Sequence, residues 1–255
     1  MELINYLTPV NTVTFLLLFI RISSFLAFLP FFSYPTIPMK AKAAFALWLT
    51  ILFFPISPKI TFEINIINVI LAVLFESAFA FFVGVALTLI FDILKYAAEQ
   101  ISFVMGFTLA NVIDPNSGLN TNIIGEFFTW VALLIFFAFG GDHLEIFLIS
   151  KTLGSLPFGA VFDIHSMYQF FVIYMFKYFV FGIAMAFPVL AVSILSDIIF
   201  GMIMKTMPQF NLLVVGFPIK IGLSFLILIA IMASFANVFQ KEFIQAFNVI
   251  LKIIG

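Results

Sequence analysis

His143 and His165 are the only histidines in 255 residues, and cysteine is absent. Without thiolates there is no disulfide scaffold, iron–sulfur cluster or cysteine nucleophile, and two histidines are too few for a multi-ligand metal site. No His-Glu-x-x-His helix, Gly-x-Ser-x-Gly elbow or Gly-x-x-x-x-Gly-Lys phosphate loop occurs. Gly140-Gly141-Asp142 approaches the Gly-x-Gly-Asp of intramembrane aspartyl proteases, but Phe139 stands where the pattern needs glycine, and no second aspartate matches. The expectation is a non-enzymatic chain with no catalytic, cofactor or metal residues.

The ionisable residues inside apolar stretches carry more information, because each costs roughly 2.5–3.5 kcal/mol at the centre of a membrane helix. They are Arg21, Glu76, Asp197 and Lys220. Either they pair or snorkel, with Arg21 and Glu76 one possible couple, or they face a protein interface or an aqueous path. Asp114-Pro115-Asn116-Ser117-Gly118 reads as a turn. Irregular backbone at membrane depth is tolerated where it lines a cavity or lies buried in protein.

The elements that must position these residues are overwhelmingly apolar. Hydrophobic residues make up 64% of the chain and charged residues 9%, too few to cover a water-facing surface. A bilayer, or a larger apolar assembly, is the implied environment, with about five or six spans at about 20 residues each. A net charge of -1 without a basic run gives no footprint for nucleic acid. The first residues lack a basic n-region and cleavage site, so the first apolar stretch is expected to be retained. The stretches are Val10 to Leu29, a short one from Ala43 to Phe54, Ile66 to Phe91, Ile123 to Phe139, Phe170 to Phe200 and Leu212 to Phe235. Asp92 to Val112 is patterned as an amphipathic helix, Gly140-Gly141 reads as a stop, and Pro188 predicts a kink or break. From Val238, a stripe of Phe239, Phe243, Phe247, Ile250 and Ile254 predicts an amphipathic tail. The class is all-α and membrane-associated, and with no repeat or linker, residues 1–255 read as one domain. Simple alternation of six spans puts Lys40, Lys42, Lys95 and Lys205 on one side and Lys59, Lys151, Lys241 and Lys252 on the other. That tie gives no orientation by the positive-inside rule.

Several stretches in order resemble the FliR/SctT family of type III export-gate proteins. Arg21 precedes Pro30-Phe31-Phe32-Ser33 and Ile37-Pro38-x-x-x-Lys42. Glu76 with Gly84 resembles the family's glutamate-bearing helix, and Glu99, Met105-Gly106 and Asp114-Pro115-x-Ser117 its central stretch. Gly141, His143, Ser150 and Leu156-Pro157 follow, then Lys205-x-x-Pro208-Gln209-x-Asn211 and Gly216-Phe217-Pro218-x-Lys220. The resemblance runs from residue 1 to 255; Ala80 and Ala98 stand where the family often has glycine, and Asp142 separates Gly141 from His143.

The resemblance implies a subunit of the flagellar type III export gate, with the injectisome gate subunit as the alternative and a polytopic secondary transporter as a distant one. It implies hydrophobic helical hairpins packed, largely above the bilayer plane, into a helical assembly with FliP and FliQ, to which FlhB attaches. Unfolded exported proteins would pass through it, and its place would be the bacterial inner membrane within the flagellar basal body. It further implies a channel plug comprising Phe103, Met105, Gly106, Phe107, Leu109, Val112, Ile113, Asp114 and Pro115. Arg21, Glu76, Pro208, Gln209, Asn211 and Lys220 would serve structure and assembly. No cofactor belongs to this role.

Overall fold

Proline and glycine divide the chain into seven α-helices among the described residues of a computed structural model, which are 8–34, 37–58, 60–107, 123–160, 164–209 and 211–254. Helix α1 spans Pro9–Phe28; Pro9 occupies its first turn, where a missing N–H costs nothing, and the Thr8 hydroxyl accepts from the Asn11 N–H at 3.2 Å. It ends at Leu29, held extended by the following Pro30. Helix α2, Met39–Phe53, begins after Pro38 and tightens into a 3₁₀ turn, Phe54–Ile56, around Pro55. Helix α3, Ile66–Met105, is opened by the Asn65 side chain, which accepts from the Asn68 N–H at 2.7 Å. Helices α4, Ile123–Ala138, and α5, Gly141–Ser155, meet at a 66° bend. Gly140 makes the bend with φ +74°, a left-handed conformation that other residues adopt reluctantly. Helix α6, Ile164–Thr206, is followed by a π turn, Leu212–Gly216, and helix α7, Phe217–Ile254.

Three expectations change on contact with the structure. Ile66 to Phe91 and the amphipathic stretch after it form the single helix α3; the polar residues Asp92, Lys95 and Glu99 sit on its exposed side without interrupting its hydrogen bonds. Pro188 does not end α6, which is helical on both sides of it. Gly140-Gly141 stops α4, yet its second glycine starts a new helix, α5, which the sequence pattern does not mark. The tail stripe is buried at all five positions, as the last turns of α7 rather than as a separate element.

Among the described residues, five helical segments are long and apolar enough to cross a membrane, or six if the bent α4–α5 pair is one span. At 1.5 Å per residue, the 40, 43 and 38 residues of α3, α6 and α7 run about 60, 65 and 57 Å along their axes. A hydrocarbon core is about 30 Å thick. These helices are therefore about twice as long as a crossing requires.

The described residues group into two compact units, one of residues 1–89, 136–172 and 243–255, the other of residues 90–135 and 173–242. In the first, α1 and the first half of α3 approach at Gly84. A Cβ there would collide with the Cβ and backbone of Phe28. The Thr88 hydroxyl donates to the Phe28 carbonyl at 3.1 Å beside this contact, and Phe25 meets Phe79 edge to face. In the second unit, Leu94, Ala97, Ala98, Ile101 and Met105 form the buried side of α3. Gly182 of α6 lies against Ile93, and Phe128, Phe235, Phe239 and Phe91 form a chain of ring contacts. The abundance of phenylalanine, 39 residues, thus supplies edge-to-face packing in both units.

Gly84→Val is expected to cost about 3 kcal/mol, because the clash is with backbone and cannot be relieved by a rotamer change. Gly154→Ala, on an open stretch of helix surface, should be neutral or stabilising by up to about 1 kcal/mol. Thermal unfolding of the two purified variants, compared with the parent protein, checks both signs.

Candidate functional site: a buried ionic clamp

Arg21 lies on α1 and Glu76 on α3, and the structure joins them. The Arg21 Nε donates to Glu76 Oε2 at 2.5 Å and Nη2 to Oε1 at 2.7 Å, a two-pronged pair with both side chains nearly sealed from solvent. Such a pair leaves three guanidinium N–H groups still needing acceptors. Nη1 donates to the carbonyls of Thr152 and Leu156 at 3.2 and 3.0 Å, and Nη2 to that of Pro157 at 3.4 Å. All five donors are thereby used.

The Thr152, Leu156 and Pro157 carbonyls belong to the end of α5 and the segment after it. The final carbonyls of a helix have no acceptor role inside it, and buried ones must find donors elsewhere. The Thr152 carbonyl also accepts from the Leu156 N–H at 3.0 Å and the Pro157 carbonyl from the Ala160 N–H at 3.3 Å, so the guanidinium adds a second donor to each and gives the Leu156 carbonyl its donor. The Phe158 ring covers the guanidinium carbon at 4.7 Å, a cation–π contact that excludes water from the pair. Gly159 turns with φ +71° and aims its N–H at Glu76 Oε1, 3.0 Å away. One ion pair thus fastens α1, α3 and the end of α5 together. Its groups are saturated with hydrogen bonds, so it offers no nucleophile, labile proton or open ligand position.

The remaining charged residues occupy separate places. In the second unit, Lys220 of α7 is almost wholly buried and places Nζ 2.7 Å from each carboxylate oxygen of Asp197 on α6, which is half exposed. One turn further along each helix, the Ser193 and Ser224 hydroxyls meet at 3.3 Å. Pro208 and Gln209 lie exposed in the turn after α6, and the Asn211 side chain accepts from the Val214 N–H at 3.3 Å, capping the π turn that leads into α7. His143 bonds Asp142 and His165 bonds Gln169, both at the surface. No group of three or more metal-binding side chains occurs among the described residues.

Of the plug residues expected from the sequence, Leu109, Val112, Ile113, Asp114 and Pro115 lie outside the described residues. Phe103 is 66% exposed, Met105 is fully buried, and Phe107 is half-buried with its ring 6.3 Å from that of Phe225. Gly106 closes α3 with φ +91°, its N–H bonded to the Phe103 carbonyl at 3.1 Å. It acts as a helix terminator, a conformation that glycine adopts without strain.

The chain matches the family described as bacterial export proteins, family 1, over residues 12–246. It is 31% identical over 248 residues to the flagellar biosynthetic protein FliR of Bacillus subtilis (strain 168), covering 94% of this chain and 95% of that one. This chain belongs to the FliR family of bacterial export proteins. The FliR proteins of Aquifex aeolicus (strain VF5) and Escherichia coli (strain K12) are similar at 28% and 23% identity, each over 92% of this chain. In this FliR-family chain, Arg21 and Glu76 were visible in the sequence as charges needing a reason. Gly159 and the carbonyls of Thr152, Leu156 and Pro157 were not, because backbone acceptors leave no mark on residue type. Glu145, fully buried on α5, was also missed; its Oε1 lies 3.5 Å from the Phe31 N–H, and Oε2 has no hydrogen-bond partner among the described residues.

Breaking a buried pair from one side costs about 3–5 kcal/mol, since the survivor remains charged and unpaired. Arg21→Gln should cost more than Glu76→Gln: it leaves a buried carboxylate with the Gly159 N–H alone and the Leu156 carbonyl without its donor, whereas Glu76→Gln leaves the guanidinium its three carbonyl acceptors. The double substitution should cost less than the sum of the singles. A double-mutant cycle on thermal stability reads the order and the coupling. Additive effects would show that the two side chains do not stabilise one another.

Proposed function

We propose that this chain is a non-enzymatic subunit of the flagellar type III protein export gate, helping to form and plug the channel that conducts unfolded flagellar substrates. Membership of the export-protein family along nearly the whole chain carries this reading. The relatives named above are flagellar proteins, which favours the flagellar over the injectisome gate.

The physical character of the chain supports a role in an assembly. Many large apolar side chains on α6 and α7 are exposed, among them Phe176, Phe187, Met202, Leu226 and Ile229. Helices twice as long as a bilayer crossing cannot all be covered by lipid if they stand upright, so part of this surface requires protein neighbours. FliP and FliQ are the proposed neighbours, with FlhB attached, at the inner membrane within the flagellar basal body. A chain that conducts polypeptide without chemistry needs no catalytic group, and the saturated clamp at Arg21 fits such a scaffold.

The segment from Phe103 to Pro115 is the proposed plug. A terminated helix that presents a large apolar side chain, Phe103, beside a positive-φ glycine, Gly106, supports it. Apolar groups closing a narrow pore exclude water and ions. Met105, sealed within its unit, serves packing in that segment rather than closure.

Two experiments test these readings. Expressed alone in detergent, the protein should be heterogeneous, and co-expression with FliP should yield a homogeneous complex; robust, monodisperse protein without partners contradicts the assembly role. Deleting residues 106–110 from the assembled gate should leave the complex intact but leaky to small ions in a liposome flux assay. An intact, sealed gate after the deletion refutes the plug, and a dissolved complex assigns the segment to packing.

A further inference from the structure

Helices α1 and α2 flank an open cleft of about 390 Å³ that the clamp does not use. Its apolar wall is Phe19, Leu26 and Ala27 of α1 with Met39 and Ala43 of α2. At about 30 Å³ for a water-sized group, there is room for a dozen or so such groups, comparable to much of one acyl chain. Two polar residues complete the lining, Ser23 and Lys42. The Ser23 hydroxyl is committed to the Ile20 carbonyl at 3.1 Å, so Lys42 is the group able to engage a ligand's polar end.

The charge around this cavity is one-sided. No aspartate or glutamate occurs between Leu3 and Phe62, and Arg21, the one cation of α1, is consumed by Glu76. Neither Lys40 nor Lys42 has an ion-pair partner among the described residues. Pro38, in the N-cap position of α2, supplies no side chain to the first N–H groups of that helix. Beyond these lysines the helix turns apolar, with Trp48, Ile51 and Leu52 more than half exposed. An oily slot with a positive mouth, on a helix whose outer face requires lipid or protein, matches a molecule with one anionic end and a hydrocarbon tail. A soluble anion would leave the slot unfilled, and an apolar side chain would leave the lysines unanswered.

We propose that the α1–α2 cleft binds an anionic phospholipid, with one acyl chain between Leu26 and Ala43 and the phosphate at Lys42. The lipid would wedge the hairpin and fix its depth at the membrane surface. This binding is separate from the export role: a gate that exports normally could hold the lipid or lack it.

The test uses the assembled gate in lipid nanodiscs with a phosphatidylglycerol probe carrying a photoreactive diazirine on its acyl chain. The peptides holding Ala27 and Ala43 should be labelled. Unlabelled phosphatidylglycerol should compete, while phosphatidylcholine of the same chain length should not. Lys42→Gln, at a half-buried side chain that makes no ion pair among the described residues, should leave the complex intact by size-exclusion chromatography and reduce labelling about five-fold, the worth of one basic side chain at an anionic surface. Ala27→Trp, which fills the slot, should abolish labelling whatever the lipid. Equal labelling by a phosphatidylcholine probe, or no response to Lys42→Gln, overturns the proposal in favour of unselective lipid contact. Capture of a neighbouring polypeptide, rather than lipid, by a photo-crosslinking residue at position 27 overturns it in favour of a protein interface.

Discussion

The guanidinium of Arg21, sealed among apolar side chains, has all five of its donors answered, and this clamp organises the first unit. With 9% charged residues, the protein has few ions to place, so one sealed between helices has to earn its position. A carboxylate alone would satisfy two of the five guanidinium donors. The remaining three reach carbonyls at the end of α5: that of Leu156, which takes its donor from Arg21, and those of Thr152 and Pro157, which also accept the Leu156 and Ala160 N–H groups. The ion pair and the helix terminus therefore solve one another's problem. Replacing the pair by apolar residues would remove the desolvation cost but leave the Leu156 carbonyl without its donor and the Gly159 N–H without its acceptor. That explains why a charge, rather than a leucine, joins these elements.

The second unit follows the same economy with a different geometry. Lys220 is nearly buried while Asp197 is half exposed, so the lysine is held by a carboxylate that remains in contact with its surroundings. The Ser193–Ser224 contact lies one turn further along both helices, and the Lys177–Glu242 ion pair adds a third polar point between α6 and α7. Non-directional apolar packing tolerates sliding; paired polar groups do not. Fixed register matters in a scaffold whose helices run far past the thickness of a bilayer and whose outer faces require neighbours.

Much of this was legible in the sequence where a residue type carried the signal. Arg21, Glu76, Asp197 and Lys220 stood out because charge is costly in apolar segments, and the stripe from Phe239 to Ile254 announced its buried face by spacing. What remained illegible depended on backbone. Helix α5 was hidden because Gly140-Gly141 reads equally as an end and as a hinge, and Asp142, His143 and Glu145 dilute the apolar pattern of its start. The continuity of α3 was hidden because a change from apolar to amphipathic residues marks a change of environment, not the end of a helix. At Pro188, where a kink or a break was the expectation, the helix does not break: one lost donor does not end a long apolar helix. The carbonyls that complete the clamp cannot be read from side chains at all.

The central claim is that Arg21 acts through its backbone acceptors as much as through Glu76, and a charge swap separates the two roles. In cells carrying Arg21→Glu together with Glu76→Arg, recovery of the assembled gate complex from membranes, measured by quantitative immunoblot after native electrophoresis, reads the outcome. The clamp predicts little or no recovery relative to the single variants, because a carboxylate at position 21 would face the Thr152, Leu156 and Pro157 carbonyls with no hydrogen to donate. Recovery to the parent level would show that opposite charge alone suffices, and would contradict the account.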